Sequence, residues 1–203
     1  MGRRGRLTVL AGLAGLAAVL LSGCGIRSTE VPTEFGAAPT RVGCSQSGAD
    51  GVAARTAGEF DVQVFLVCTS QLVTVDRTVT VRRDQTSERV GVAQELLAQL
   101  SKPLTAAEKQ AGYTTDVGLH LKVSGPRGGD PADALRLNTP PDDLSPYALA
   151  QIVCTFANSK VATDDGAHVA LGGPGDDPLR SYECSDAVKA RPGQLPAPAE
   201  TVS

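Results

Sequence analysis

Two adjacent stretches of the chain alternate between apolar and polar residues with the period of a β-strand. Phe60 to Cys68 (FDVQVFLVC) is rich in valine and sets Val62, Val64, Leu66 and Cys68 on one face. Leu72 to Val81 (LVTVDRTVTV) alternates more cleanly, with Val73, Val75, Arg77, Val79 and Val81 opposing Leu72, Thr74, Asp76, Thr78 and Thr80. The break at Thr69-Ser70-Gln71 is short, so a hairpin is the natural pairing.

From Ser87 to Ser101 (SERVGVAQELLAQLS) the period changes. Val90, Ala93, Leu96, Leu97 and Leu100 fall at helical spacing, with Ser87 as the expected N-cap and Pro103 as the stop. Thr105 and Glu108 then form a capping-box pattern, in which each side chain can satisfy the other's backbone N–H, and a short helical turn is expected to Ala111. Leu119–Val123 and Ala134–Leu137 read as short strands separated by a Gly/Pro-rich turn. Ser145 to Ala157 (SPYALAQIVCTFA) is the clearest helix: Ser145 caps it, Pro146 sits in its first turn, and Leu149, Ile152, Val153 and Phe156 line one face. His168–Leu171 is a last short strand. The order is that of an α+β fold, a small mixed or antiparallel sheet packed by two main helices.

The two ends read differently. Met1 to Arg6 is basic, and Leu7 to Leu21 is an uncharged apolar run of 15 residues. A spanning helix needs about 20, so this run suits the core of an export signal. Leu21-Ser22-Gly23-Cys24 follows and resembles the bacterial lipobox. The resemblance implies a diacylglyceryl group on the Cys24 sulfur, cleavage between Gly23 and Cys24, and two acyl chains holding the protein on the extracytoplasmic face of the cell membrane. Residues 24–58 carry Pro, Gly, Ser and Thr without hydrophobic periodicity and read as a flexible tether. Residues 59–185 form the expected domain, and 186–203 a disordered Pro-rich tail.

Composition and charge narrow the function. The 203 residues are 41% hydrophobic but only 3% aromatic, with no Trp, so the core is aliphatic. The formal charge is −3, and removing residues 1–23, with Arg3, Arg4 and Arg6 and no acid, leaves a more acidic chain. That balance argues against nucleic acid, which requires clustered Lys and Arg. Arg82-Arg83 reads as a solvated strand end.

Candidate chemistry is sparse. Besides Cys24 there are Cys44, Cys68, Cys154 and Cys184. In an exported protein they are expected to form two disulfides, and of three connectivities the local pairs 44–68 and 154–184 are favoured. No C-x-x-C is present, and His120 and His168 have no ligand spacing, so neither a metal nor another cofactor is expected. Asp164-Asp165 and Asp176-Asp177 read as turn residues, because the latter's GGPGDDP context lacks the alternating ligands of a calcium loop. Gly125-Pro126-Arg127-Gly128-Gly129 lacks the Lys and Ser/Thr of a phosphate loop and reads as a turn. There is no G-x-S-x-G elbow, and no catalytic residue is assigned. Arg77 is the one conspicuous charge: on a valine-rich face, it either pairs with a carboxylate or marks the start of an exposed recognition face.

The hairpin VFLVCTSQLVTVDRTV, with Leu72, Val73, Val75 and Arg77, resembles the opening of the GerMN domain. The helix VAQELLAQL, the segment Glu108–Thr115 and the helix ALAQIVCTF follow in the family's order, so the resemblance covers about residues 60–171. Cys68 and Cys154 are additions to the family pattern. The resemblance implies an interaction module of bacterial envelope lipoproteins without an established active site, and the layout is similar to small actinobacterial lipoproteins, some of them beside envelope-stress signalling systems. The expectation is a non-catalytic binding or regulatory lipoprotein in envelope sensing or signalling, with an envelope protein or the cell wall as partner. A cell-wall polymer hydrolase and a purely structural envelope component are the alternatives.

Overall fold

The computed structural model describes Cys44 and residues 59–80, 88–159, 161, 168–194 and 199–201. The expected export leader, Cys24, the expected tether apart from Cys44, Arg82-Arg83, Ser87 and Asp164-Asp165 lie outside the described residues. The described elements make an α+β fold with one three-stranded and one five-stranded sheet.

Strands β1 (Glu59–Cys68) and β2 (Gln71–Thr80) pair antiparallel along their whole length, from Glu59↔Thr80 to Cys68↔Gln71. Two residues make the turn, Thr69 at φ 50° and Ser70 at φ 63°. Positive φ at both positions gives the tight turn that matches strand twist, but a β-branched Thr is strained there. The unbroken apolar run Val64–Cys68 has its reason in two-sided burial. Val64, Leu66 and Cys68 face the main core, whereas Phe65 and Val67 join Leu72, Ala150, Cys154 and Val188 in a second cluster.

Helix α1 (Glu88–Ser101) buries Val90, Ala93, Leu96, Leu97 and Leu100, the residues its spacing singled out. Thr105 caps the short α2 (Ala106–Gln110) with both halves of the capping box made: Glu108 N donates to Thr105 Oγ1 at 3.2 Å, and Thr105 N donates to Glu108 Oε2 at 2.7 Å. The chain then adds β3 (Tyr113–Thr114), which pairs with only the last two residues of β1 and completes the sheet order β2-β1-β3.

The second sheet runs β4 (Val123–Ser124), β5 (Leu135–Leu137), β6 (His168–Gly172), β7 (Arg180–Glu183) and β8 (Ala199–Thr201) in that spatial order. Its β5–β6 pair is parallel and the others are antiparallel. A parallel pair needs a crossover, and here the crossover holds a 3₁₀ turn (Pro141–Asp143) and α3 (Pro146–Ala157). Ser145 Oγ accepts from Ala148 N at 3.1 Å and caps α3 as expected. All residues from Ala148 to Phe156 are buried, more than the single face read from the sequence. Leu149, Ile152, Val153 and Phe156 enter the main core while Ala150 and Cys154 enter the second cluster, which explains a helix apolar on nearly every side.

Three expectations change. The single small sheet is two sheets. Leu119–Leu121 is not part of a strand: Leu119 is 70% exposed, and β4 begins only at Val123. Asn138 accounts for this, because its side chain accepts from Lys122 N at 2.8 Å and donates to His120 O at 2.9 Å, doing locally what a partner strand would do. Regular structure is also present past residue 185, in α4 (Asp186–Ala190), capped by Ser185 with Val188 fully buried, and in β8 (Ala199–Thr201). The Pro-rich composition of this stretch suggests a disordered tail, but the Ser185 cap, the buried Val188, the adjacent Cys154–Cys184 disulfide and the pairing of β8 with β7 hold these elements on the domain.

Candidate functional site

Arg77 lies on the core-facing side of β2, beside Val75 and Val79. Its Nη2 comes within 2.5 Å of Glu108 Oε1, and the two side chains are 11% and 2% exposed. The groups touch without the alignment of a good hydrogen bond, and Arg77 Nε has no acceptor among the described residues. Glu108 therefore has two tasks, one oxygen closing the α2 capping box and the other neutralising the arginine. Arg77 thus pairs with a carboxylate, the first of its two expected roles, and its largely buried side chain presents little surface of its own to a partner. The pair ties α2 to the hairpin.

A second arginine, which no pattern in the sequence singles out, is the more elaborate hub. Arg136, in β5, is 6% exposed. Its Nε and Nη2 donate to Asp130 Oδ2 and Oδ1 at 2.7 and 2.8 Å, a two-pronged fit that a planar guanidinium makes well. Nη1 turns to the opposite loop and donates to the carbonyls of Gly173 at 3.0 Å and Asp177 at 2.8 Å. The Gly125–Pro131 and Gly172–Pro178 loops, apart in sequence, are thereby fastened to one side chain. Arg127 adds a hydrogen bond from its Nη1 to Gly175 O. Asp177 Oδ2 accepts from Gly173 N at 2.8 Å.

The glycine pair is a condition of this closeness. A Cβ on Gly172 would stand 2.9 Å from Arg136 Nη1, and one on Gly173 would stand 2.8 Å from Pro140 Cα. Hydrogen bonds from the Arg136 side chain, and then from the Arg127 backbone, hold the Asp130 carboxyl down at about 2, below the usual 3.8. The same partnership raises Arg136 and keeps it charged. The sequence of both loops indicates turns, and they are turns. What the sequence did not disclose is that one buried cation joins them.

Helix α3 uses polar side chains to finish the edge of β1 beyond β3. Phe65 N donates to Thr155 Oγ1 at 3.0 Å, and Gln151 Nε2 donates to Phe65 O at 2.9 Å. Gln151 Oε1 accepts from Asp116 N at 2.9 Å. Gln151 and Thr155 are fully buried, and each stands in for the neighbouring strand that β1 lacks there. Tyr182, 3% exposed in β7, is different: its hydroxyl has no hydrogen-bond partner among the described residues. Burial, followed by the nearby Asp142 carboxylate, pushes that phenol above its ordinary pKa.

The remaining cysteines are paired as Cys44–Cys68 and Cys154–Cys184, with Cα separations of 6.0 and 4.9 Å, ordinary for such links. The first bridge attaches Cys44 to the end of β1, where Tyr113 OH also donates to the Cys44 carbonyl. The second fastens α3 to the segment between β7 and α4. His120 lies in the turn before β4 and His168 opens β6. Among the described residues no group of three or more His, Cys, Asp or Glu could hold a metal ion. Nor is any described helix long and apolar enough to cross a membrane.

No protein-family model matches the chain, and no curated protein does either. Among solved structures, the tandem GerMN domains of the sporulation protein GerM from Bacillus subtilis are similar at 17% identity and a TM-score of 0.39, covering 64% of this chain and 43% of that one. The chain thus spans less than half the length of that tandem structure, which stands as a structural neighbour at low identity and partial coverage.

Proposed function

We propose that this chain is an extracytoplasmic lipoprotein, acylated on Cys24, whose GerMN-like domain is a non-catalytic binding or regulatory module of the bacterial envelope, of actinobacterial type. The observation that carries the reading is Leu21-Ser22-Gly23-Cys24 directly behind a basic start and a 15-residue apolar run. The two disulfides support it, since such bonds persist in oxidising compartments outside the cytoplasm. The non-catalytic part of the reading is supported by how the buried charges are used. Glu108, Asp130 and Arg136 use their hydrogen bonds and charges, and Arg77 its charge, to hold elements together, which leaves them unsuited to general acid–base work on a substrate.

Two experiments test the reading. Cys24→Ser is expected to move the protein from the membrane fraction to the medium, and retention in the membrane would overturn acylation at that position. Crosslinking in the native envelope followed by recovery of the protein is expected to yield a defined envelope partner. Turnover of purified peptidoglycan by the protein alone would contradict the non-catalytic reading.

A further inference from the structure

We infer that the Cys44–Cys68 disulfide sets which end of the hairpin is held towards the membrane. The inference rests on the acylated Cys24 proposed above. In chain order, a tether arriving from Cys24 would enter the domain at Glu59, the start of β1. The disulfide instead attaches the tether at Cys68, the last residue of the same strand. The two points are the ends of a ten-residue strand, about 30 Å apart at the usual antiparallel rise. The pulling point therefore moves from one end of the β1–β2 hairpin to the other.

The attachment is more than one bond. Tyr113 is the register partner of Cys68 in β3, is 3% exposed, and donates its hydroxyl to the Cys44 carbonyl. Thr69 Oγ1 lies 3.4 Å from Cys44 Sγ, so the turn residue also touches the bridge. Cys44 is thus held through its backbone as well as its sulfur, against the one corner where all three strands of the smaller sheet meet. A pull on the tether is delivered to this corner, and residues 45–58 are left out of the load path.

Two consequences follow. The chain between the anchor and the domain shortens from residues 24–58 to residues 24–43, which lowers its greatest span from roughly 115–125 Å to roughly 66–72 Å at full extension. The Thr69–Ser70 turn becomes the membrane-proximal end, while the opposite end of the hairpin, where Asp61 and Thr78 are exposed, faces outward. A reductant that opens the bridge lengthens the tether and transfers the pull to Glu59.

The test uses the full acylated protein in phosphatidylethanolamine–phosphatidylglycerol vesicles. A specific protease site is inserted after Gly51, between Cys44 and β1, with every cysteine kept. After cutting, the domain is expected to sediment with the vesicles as fully as the uncut protein, and to fall to the level of a lipid-free control once reductant is added. Release on cutting without reductant overturns the inference. Uncut protein that fails to sediment overturns the anchor itself, and the inference with it.

Orientation is read by energy transfer from a dye at Gln71 or at Thr78, both exposed, to acceptors on the lipid headgroups. Gln71 is expected to transfer more efficiently than Thr78, and the order is expected to reverse in the Cys44→Ser/Cys68→Ser double variant. An order unaffected by the double variant, with a cooperative melt confirming that it folds, overturns the inference. Should the double variant not fold, the protease arm decides on native cysteines.

Discussion

Replacing Arg136 by Met keeps most of the side chain's volume and removes one guanidinium. Four well-formed hydrogen bonds go with it: two to Asp130, and one each to the carbonyls of Gly173 and Asp177. Breaking a buried pair by deleting one partner costs about 3–5 kcal/mol, because the other charge is left without its counterion. Asp130 keeps the Arg127 backbone N–H at 2.8 Å and stands on a loop that water can reach once the clamp is gone. The lower end, about 3 kcal/mol, is therefore expected, a fall of roughly 10 °C in melting temperature for a domain of this size. Arg136→Lys should recover only part of it, since an ammonium cannot make the two-pronged contact.

Far-UV circular dichroism during urea unfolding, with disulfides intact, is the natural assay for a chain without Trp. Amide exchange should locate the damage in residues 125–131 and 172–178. A loss below about 1 kcal/mol, or unaltered protection of both loops, would refute the idea that Arg136 joins them. The pH dependence follows from the same contact. Asp130 has a folded-state pKa of about 2 against an ordinary 3.8, so its stabilisation is present above about pH 4 and is lost as the pH falls towards 2. After allowance for solvent screening at a loop, the contribution is about 1–2 kcal/mol. Asp130→Asn should flatten that part of the acid-unfolding curve, and a curve as steep as the parent's would contradict the assignment.

Other perturbations probe separate joints. Glu108→Ala removes both the capping-box acceptor and the partner of Arg77, so it should cost more than Arg77→Met in chemical denaturation, about 3–4 kcal/mol against about 2. Gln151→Ala leaves Phe65 O and Asp116 N unsatisfied inside the protein, a loss of about 2–4 kcal/mol that a thermal melt would register. Thr69→Asn with Ser70→Gly relieves two positive-φ residues and is expected to raise stability by about 1 kcal/mol; a drop would mean that Thr69's contact beside the Cys44–Cys68 bridge outweighs the strain. Reducing Cys154–Cys184 opens a link across 30 residues and should lower the melting temperature by the equivalent of about 3 kcal/mol, whereas an unmoved melt would remove its structural role.

The readable parts of this fold are those in which local chemistry and long-range packing agree. The β1–β2 register follows from alternation and a two-residue turn, while Thr105 with Glu108 and Ser145 with Pro146 mark helix starts by capping alone. Arg77's partner was legible as a kind, a carboxylate, though not as Glu108, because nothing local brings the α2 capping box to β2. Arg136 was invisible. Its neighbours in Leu-Arg-Leu suggest a strand with one side chain facing water, and only the crossover through α3 brings the Gly172–Pro178 loop over it. Gln151 was hidden in the same way, as a polar residue in an apolar helix whose purpose depends on a strand edge 86 residues earlier. The β7–α4–β8 end is hidden by its Pro and Gly content, because Val188 is a lone apolar signal and neither the β7–β8 pairing nor the Cys154–Cys184 link is a local feature.

The proposed place of this domain in the cell depends on one sulfur atom. Mass spectrometry of the mature protein extracted from the membrane of its own host is expected to find a chain beginning at Cys24 with a diacylglyceryl group on that residue. A chain beginning at another position, or an unmodified Cys24, would contradict it.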